Sequence, residues 1–232
     1  KSRNDFVSEV DKASEQAIIE TLRKTYPRHA ILAEESGEHV GNEYQWIIDP
    51  LDGTTNYLHG FPQWSISIAL RHRGRMQLGV VYSPLNEELL TAELGGGAFL
   101  NEHRIRVSSR PSLDGALIGT GIPFRDESRL DLYLGMMRQI IPGTAGIRRP
   151  GSAALDFAYL AAGRLDGFWE LDLASWDFAA GALLVAEAGG TVTDLQGGDR
   201  FFETGDVVAG GLKVHRELLQ RIKPLIEQEQ QP

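Results

Sequence analysis

The sequence predicts a layered α/β or α+β sandwich, on three observations. Short apolar runs alternate with amphipathic stretches of helical period along most of the chain. Residues 65–107 hold several strand-like segments separated by glycine turns, and an alanine-rich apolar helix closes on Gly189-Gly190. Alternation of this kind stacks helices against sheets, each burying the apolar face of the other. The 232 residues suffice for a sizeable core, as one unit of two packed parts: a β-rich part over about 1–142 and an α/β part over about 143–232.

Residues 11–26 place Ala17, Ile18, Thr21 and Leu22 on one helical face, and Pro27 ends the run. The apolar segments 30–33 and 44–48 read as strands that deliver Glu34-Glu35 and Asp49 at their ends. Ile66, Ile68 and Leu70 alternate through a strand at 65–71, which Gly74 turns into another at 76–82. Segments 88–93 and 98–107 continue this meander past Gly95-Gly96-Gly97. A strand at 116–119 precedes a helix at 128–141, stopped by Pro142-Gly143. Next come a strand at 147–149, a helix at 152–162 and a strand at 166–170. The alanine-rich helix spans 176–188, and its paired glycines are a strong C-terminal stop. Strands at 191–194 and 207–209 lead to an amphipathic helix at 212–222, which Pro224 should end or kink. The Gln/Glu/Pro tail after Ile226 has the composition of a disordered segment.

The net charge of −9 argues against bulk electrostatic binding of nucleic acid. Arg71 to Arg75 and Arg148-Arg149 offer only local basic patches, and the first reads best as a solvated strand edge. The absence of cysteine removes disulfides, thiolate metal sites and cysteine nucleophiles together, and it suits a reducing cytosol. No apolar run approaches a bilayer span and no signal peptide is visible, so a cytoplasmic protein with no membrane partner is expected. Upstream residues are expected to be absent, because the chain opens at Lys1 rather than a methionine. The six histidines show no metal-ligand spacing, and Ser152 lies outside a GxSxG elbow. Gly95-Gly96-Gly97 and Gly119-Thr120-Gly121 complete no dinucleotide fingerprint and read as hairpin and loop residues.

Chemistry concentrates in Asp49-Pro50-Leu51-Asp52-Gly53-Thr54-Thr55-Asn56. Two carboxylates end an apolar run, and a glycine and two hydroxyls follow. Mg²⁺ takes hard oxygen ligands and keeps waters, so a few carboxylates and a backbone carbonyl, here that of Leu51, suffice to hold it. The N–H groups of Gly53, Thr54 and Thr55 open a helical turn and can receive phosphate oxygens, while Thr54 can orient a water. Taken alone the motif is equally a strand-to-turn connection. An EF-hand loop fails, because its ligand spacing would need side-chain oxygens at Leu51 and Gly53. Glu34-Glu35 at a strand end and Asp177 at a helix start are weak signals singly, but each sits at the same kind of junction as Asp49.

Residues 49–56 resemble the first signature of the inositol monophosphatase family, DPxDGTxN, without a departure. Trp176-Asp177-Phe178-Ala179-Ala180-Gly181, continuing to Glu187-Ala188-Gly189-Gly190, resembles its second. Glu34-Glu35-Ser36 resembles the short acidic element upstream, and Lys1 with 5–11 the segment before that. Three motifs in the right order are far more specific than one.

The resemblance implies the five-layer αβαβα sandwich of the inositol monophosphatase and fructose-1,6-bisphosphatase type, with a further helix ahead of Lys1. It implies a lithium-sensitive phosphatase with two or three Mg²⁺ ions, acting on inositol 1-phosphate and related polyol phosphate monoesters. One ion would take Glu34, Asp49 and the Leu51 carbonyl. A second would take Asp49, Asp52 and Asp177, and a third would lean on Glu34 through waters. Thr54 with Glu34, backed by Glu35 or Asp11, would place the attacking water. Asp52, Gly53, Thr54, Asp177, Glu170 and the backbone at Gly151, Ser152 and Ala153 would meet the substrate. A homodimer is also implied. Sister specificities are fructose-1,6-bisphosphate and 3′-phosphoadenosine 5′-phosphate. The bacterial branch that this chain resembles most also implies RNA polymerase or Nus factors as partners in transcription antitermination and rRNA maturation.

Overall fold

A computed structural model describes residues 8–124 and 127–229; the expected elements at Lys1 and 5–7, and the tail beyond 229, lie outside them. The first helix, α1 (Glu9–Thr25), starts at a reciprocal cap: Ser8 Oγ accepts from the Val10 and Asp11 amides, and Asp11 accepts from the Ser8 amide. Among the described residues, thirteen strands form two sheets. The first sheet has the order β2-β1-β3-β4-β5-β6-β7-β8. Its strands are β1 (Ala30–Ala33), β2 (Gly37–His39), β3 (Tyr44–Asp52), β4 (Ser65–His72), β5 (Arg75–Ser83), β6 (Glu88–Glu93), β7 (Gly97–Leu100) and β8 (His103–Arg104). Only β1 and β3 run parallel, and the rest is an antiparallel meander. The short helix α2 (Thr54–Leu58) follows β3.

The second sheet has the order β10-β9-β11-β13-β12. It uses β9 (Leu117–Thr120), β10 (Gly146–Arg148), β11 (Gly167–Glu170), β12 (Thr191–Thr193) and β13 (Val207–Gly210). Between the sheets lie α4 (Ala153–Ala161) and α5 (Ser175–Glu187), which are apolar on nearly every side and share the central core with both sheets. Their alanines and glycines allow close approach: a Cβ on Gly181 would lie 2.3 Å from Phe157 Cβ, and one on Gly79 of β5 would lie 2.8 Å from the Ala180 carbonyl oxygen. The outer face of the second sheet is covered by α3 (Leu130–Ile140) and α7 (Leu212–Glu229), whose Tyr133, Met136, Leu218 and Ile222 pack on Ile118 and Trp169. The outer face of the first is covered by α1, through Ile18, Ile19 and Leu22. The layers are therefore α, β, α, β, α, the order implied by the family resemblance. Among the described residues, no helix is long and apolar enough to cross a membrane.

Four local expectations change. Pro224 does not end α7, which runs on to Glu229 and takes in the start of the expected tail. The amide that proline lacks would have bonded the carbonyl of Gln220, an exposed position, while buried Ile222 and Ile226 keep the axis on the core. The segment 98–107 is not one strand: Asn101 and Glu102 both take positive φ (45° and 68°) and turn β7 into β8. An Asn-Glu pair is a weak hairpin signal, since glycine normally supplies that conformation. Two short elements, β2 and α6 (Phe201–Thr204), carry too few residues to show a period. Finally, β3 does not stop at Ile48 but continues through Asp52, with a register shift against β4.

Candidate active site

That register shift sets the geometry of the site. Asp49 pairs with Ser67 and Asp52 with Ser65, so three steps on β3 face two on β4. In a regular strand, residues three apart point to opposite faces. The extra residue of the bulge brings the two carboxyls to the same side. Asp49 is buried at 2% exposure and accepts from the Leu51 amide at 3.0 Å. Asp52 accepts from the Ala154 amide at 2.8 Å and from Ser152 Oγ, both at the start of α4. Asp177 comes from the first turn of α5, where it accepts from the Ala174 amide at 2.7 Å. Ser67 Oγ donates to the Trp176 carbonyl at 3.2 Å, tying the start of α5 to the strand position opposite Asp49.

Carboxylate oxygens of Asp49, Asp52 and Asp177 lie within 4.8 Å of one another. Burial, then the negative charges of Asp52, Glu34 and Asp177, push the Asp49 carboxyl well above the usual range. Acids gathered this closely resist joint ionisation unless a cation joins them. The donor set is all hard oxygen, which fits Mg²⁺.

A second acidic group, Asp11, Glu34 and Glu35, adjoins it, again with oxygens within 4.8 Å. Thr54 Oγ1 lies 3.0 Å from Asp11 Oδ1 and 3.1 Å from the Leu51 carbonyl oxygen, so its single proton serves one or the other. The turn carrying Glu34 and Glu35 is held by Glu15, which sequence reasoning did not single out. Buried on α1, it accepts from the Glu35 amide at 2.8 Å and the Ser36 amide at 2.9 Å. On the sequence, Glu15 is an ordinary charged helix position with no visible signal.

These groups open on a cleft of about 430 Å³. Every residue nominated for catalysis, metal or substrate borders it, including Leu51, Gly53, Gly151, Ala153 and Glu170, whereas Asp11 and Glu35 stand behind. Gly53 takes φ 96° at the head of α2. Asn56 joins α2 to the Gly151 loop by donating to the Gln63 and Pro150 carbonyls at 2.7 and 2.8 Å. Gly119 lies within β9 rather than in a loop, while Gly121 lies in the loop that follows, as expected, and a Cβ on it would fall 1.7 Å from Glu170 Oε1. Asp156 and Arg149 also border the cleft, and the Arg149 guanidinium sits 5.2 Å over the Phe124 ring.

A model of the inositol monophosphatase family matches residues 1–231. The Nus factor SuhB of Pseudomonas aeruginosa is 54% identical over 230 residues, covering 97% of this chain and 85% of that protein. The crystal structure of extragenic suppressor protein suhB from Bartonella henselae superposes with a TM-score of 0.94 at 46% identity, over 96% of this chain and 86% of that one. The inositol monophosphatase from Anabaena superposes with a TM-score of 0.88 at 41% identity, over 92% and 86% of the two chains. The SuhB relatives are of the bacterial branch that the sequence resembles.

Proposed function

The chain belongs to the inositol monophosphatase family, and on that premise we propose that it is a Nus-factor-type protein carrying a Mg²⁺-dependent, lithium-sensitive phosphomonoesterase centre. The partner half of this reading is supported by the 54% identity, nearly end to end, to a protein named as a Nus factor. The catalytic half is carried by one observation, the convergence of buried Asp49 and Asp52 with half-buried Asp177. Asp49, Asp52 and Asp177 would hold one Mg²⁺ ion, and Glu34, Asp49 and the Leu51 carbonyl another. Bound there, Mg²⁺ supplies charge neutralisation for the phosphate and a lowered pKa for water.

The chain's own groups do the rest. Gly53 and Thr54 offer backbone amides to the phosphate oxygens. Thr54 Oγ1, aligned by Asp11 on its far side, orients the attacking water; Glu34 accepts its proton. Glu170 and the backbone at Gly151 to Ala153 receive the alcohol part, and inositol 1-phosphate is the substrate that reading favours. Ser152 and Ala154 fix the Asp52 carboxylate, so the strand and α4 act as one rigid mount.

Glu15 is a positioning residue for this centre. In Glu15→Gln one of its two acceptor oxygens becomes an NH₂ facing a backbone N–H. The Mg²⁺ concentration for half-maximal activity should rise about tenfold, the usual cost of losing an outer support. An unchanged Mg²⁺ dependence would leave Glu15 as a packing residue only.

Two measurements test the function. Phosphate release from inositol 1-phosphate, fructose-1,6-bisphosphate and 3′-phosphoadenosine 5′-phosphate, with and without lithium, tests the chemistry; better turnover of either bisphosphate removes the inositol assignment. Affinity capture of purified RNA polymerase and Nus factors tests the partner half, and no retention of any of them at low salt refutes it.

A further inference from the structure

Asp156 is a carboxyl in an unexpected place. It lies on α4 four residues after Ser152, among Leu155, Phe157, Ala158 and Leu160, all fully buried. Its own exposure is 1%, and among the described residues its Oδ1 has no hydrogen-bond partner. A buried carboxyl with an unpartnered oxygen destabilises a fold, so an apolar residue would serve α4 better if packing were the only demand.

The surroundings point to a demand from the cleft. Asp156 borders the same cavity as Asp52 and Glu170. The end of β9 and the loop after it border this corner with Gly119-Thr120-Gly121, and Gly121 keeps room for the Glu170 carboxylate. Gly119 faces Asp156 at ordinary contact distance, 3.8 Å from its Cβ position to Asp156 Cγ, whereas a Cβ on Gly121 would collide with the Glu170 carboxylate. Burial, with the nearby charges of Glu170 and Asp52, pushes the Asp156 carboxyl well up, against a smaller opposing effect of Arg149. A carboxyl oxygen at the floor of a polar cleft can accept a hydrogen bond from an alcohol, and a protonated carboxyl can also give one.

We propose that Asp156 is a specificity residue: its Oδ1 hydrogen-bonds a hydroxyl of the substrate's alcohol portion, beside Glu170, and selects polyol phosphates over phosphoesters without further hydroxyls. The assignment deepens the phosphomonoesterase reading and rests on it. A site built to hydrogen-bond a hydroxyl discriminates because its polar atom is otherwise left unpaired. The polyol thus supplies the partner that the protein does not.

The test is steady-state kinetics of the full chain with Mg²⁺ on inositol 1-phosphate and on phenyl phosphate, for wild type, Asp156→Asn and Asp156→Leu. Asp156→Leu should lose about tenfold in kcat/KM on inositol 1-phosphate, mainly through KM, and stay within about twofold on phenyl phosphate. Asp156→Asn, which keeps shape and hydrogen bonding, should stay within about threefold on both. The Tm of Asp156→Leu should not fall, since the buried carboxyl with its unpartnered oxygen is gone. Equal losses on both substrates would make Asp156 a structural support of the centre, and no loss on either would place it out of reach; each overturns the proposal. A wild type inactive on both substrates would instead fail the phosphomonoesterase reading, and the proposal with it.

Discussion

Replacing Asp49 by Asn should lower phosphate release by about a thousandfold, roughly 4 kcal/mol of transition-state stabilisation, while leaving the fold intact. Asp49 is the acid on which the others converge: Asp52, Glu34 and Asp177 all raise its carboxyl, and burial does so most. As a carboxylate it offers charge to both proposed Mg²⁺ positions; as an amide it offers none. The substitution is nearly isosteric, and the oxygen of the new side chain can still accept from the Leu51 amide. Removing an ionisable group from a buried like-charged cluster relieves repulsion. The metal-free variant should therefore unfold at or above the wild-type Tm, and added Mg²⁺ should raise its Tm less. Phosphate-release assays and thermal melts with and without Mg²⁺ check both halves. A variant within tenfold of wild-type activity would remove Asp49 from the centre. Capture of transcription partners should survive the change, since Asp49 lies on the cleft wall.

The second large effect is on stability. Gly181→Ala should cost about 2–3 kcal/mol and lower the Tm by about 5–10 °C. The added methyl would sit 2.3 Å from Phe157 Cβ and 2.7 Å from its Cγ, both far inside contact distance. Phe157 is fully buried between Phe168 and Phe178, so it has no room to yield. The two helices must then separate. Since α4 supplies the Ser152 and Ala154 donors to Asp52, and α5 supplies Asp177, activity should fall with stability. Ala186→Ser, on the exposed side of α5, is the control and should change neither. A Gly181→Ala protein with the wild-type melt would mean that α4 and α5 can slide apart at little cost.

Much of this is legible in the sequence because its signals are local. The period of α1, the alternation in β4 and the glycine stop after α5 are each set by neighbours a few residues apart. The carboxylates at Glu34, Asp49 and Asp177 can be nominated because each sits at a junction of elements. Illegible parts depend on distant partners. Glu15 looks like any solvated helix glutamate until the turn at Glu35 and Ser36 folds onto it. Asp156 looks like a polar interruption of an apolar helix until the end of β9 and Glu170 of β11 meet it at the cleft. The end of α7 escapes the sequence for the same reason: the helix rule for Pro224 is local, and the burial of Ile226 that overrides it is not.

The bulge in β3 makes length, as much as identity, a sensitive variable between Asp49 and Asp52. The two carbonyls between them face side chains rather than the ladder: Pro50 accepts from Ser14 Oγ at 3.1 Å, and the Leu51 oxygen lies 3.1 Å from Thr54 Oγ1. A segment one residue shorter would set the aspartates two apart in an unbroken strand, still on one face. It would commit the backbone between them to the sheet, and the neutral oxygen that complements the acids would go. A segment one residue longer that slips Asp52 by one position against β4 would turn it to the opposite face. Insertions and deletions here can therefore disable the centre while every acidic residue stays in the chain, a loss that a comparison of aspartates alone would overlook.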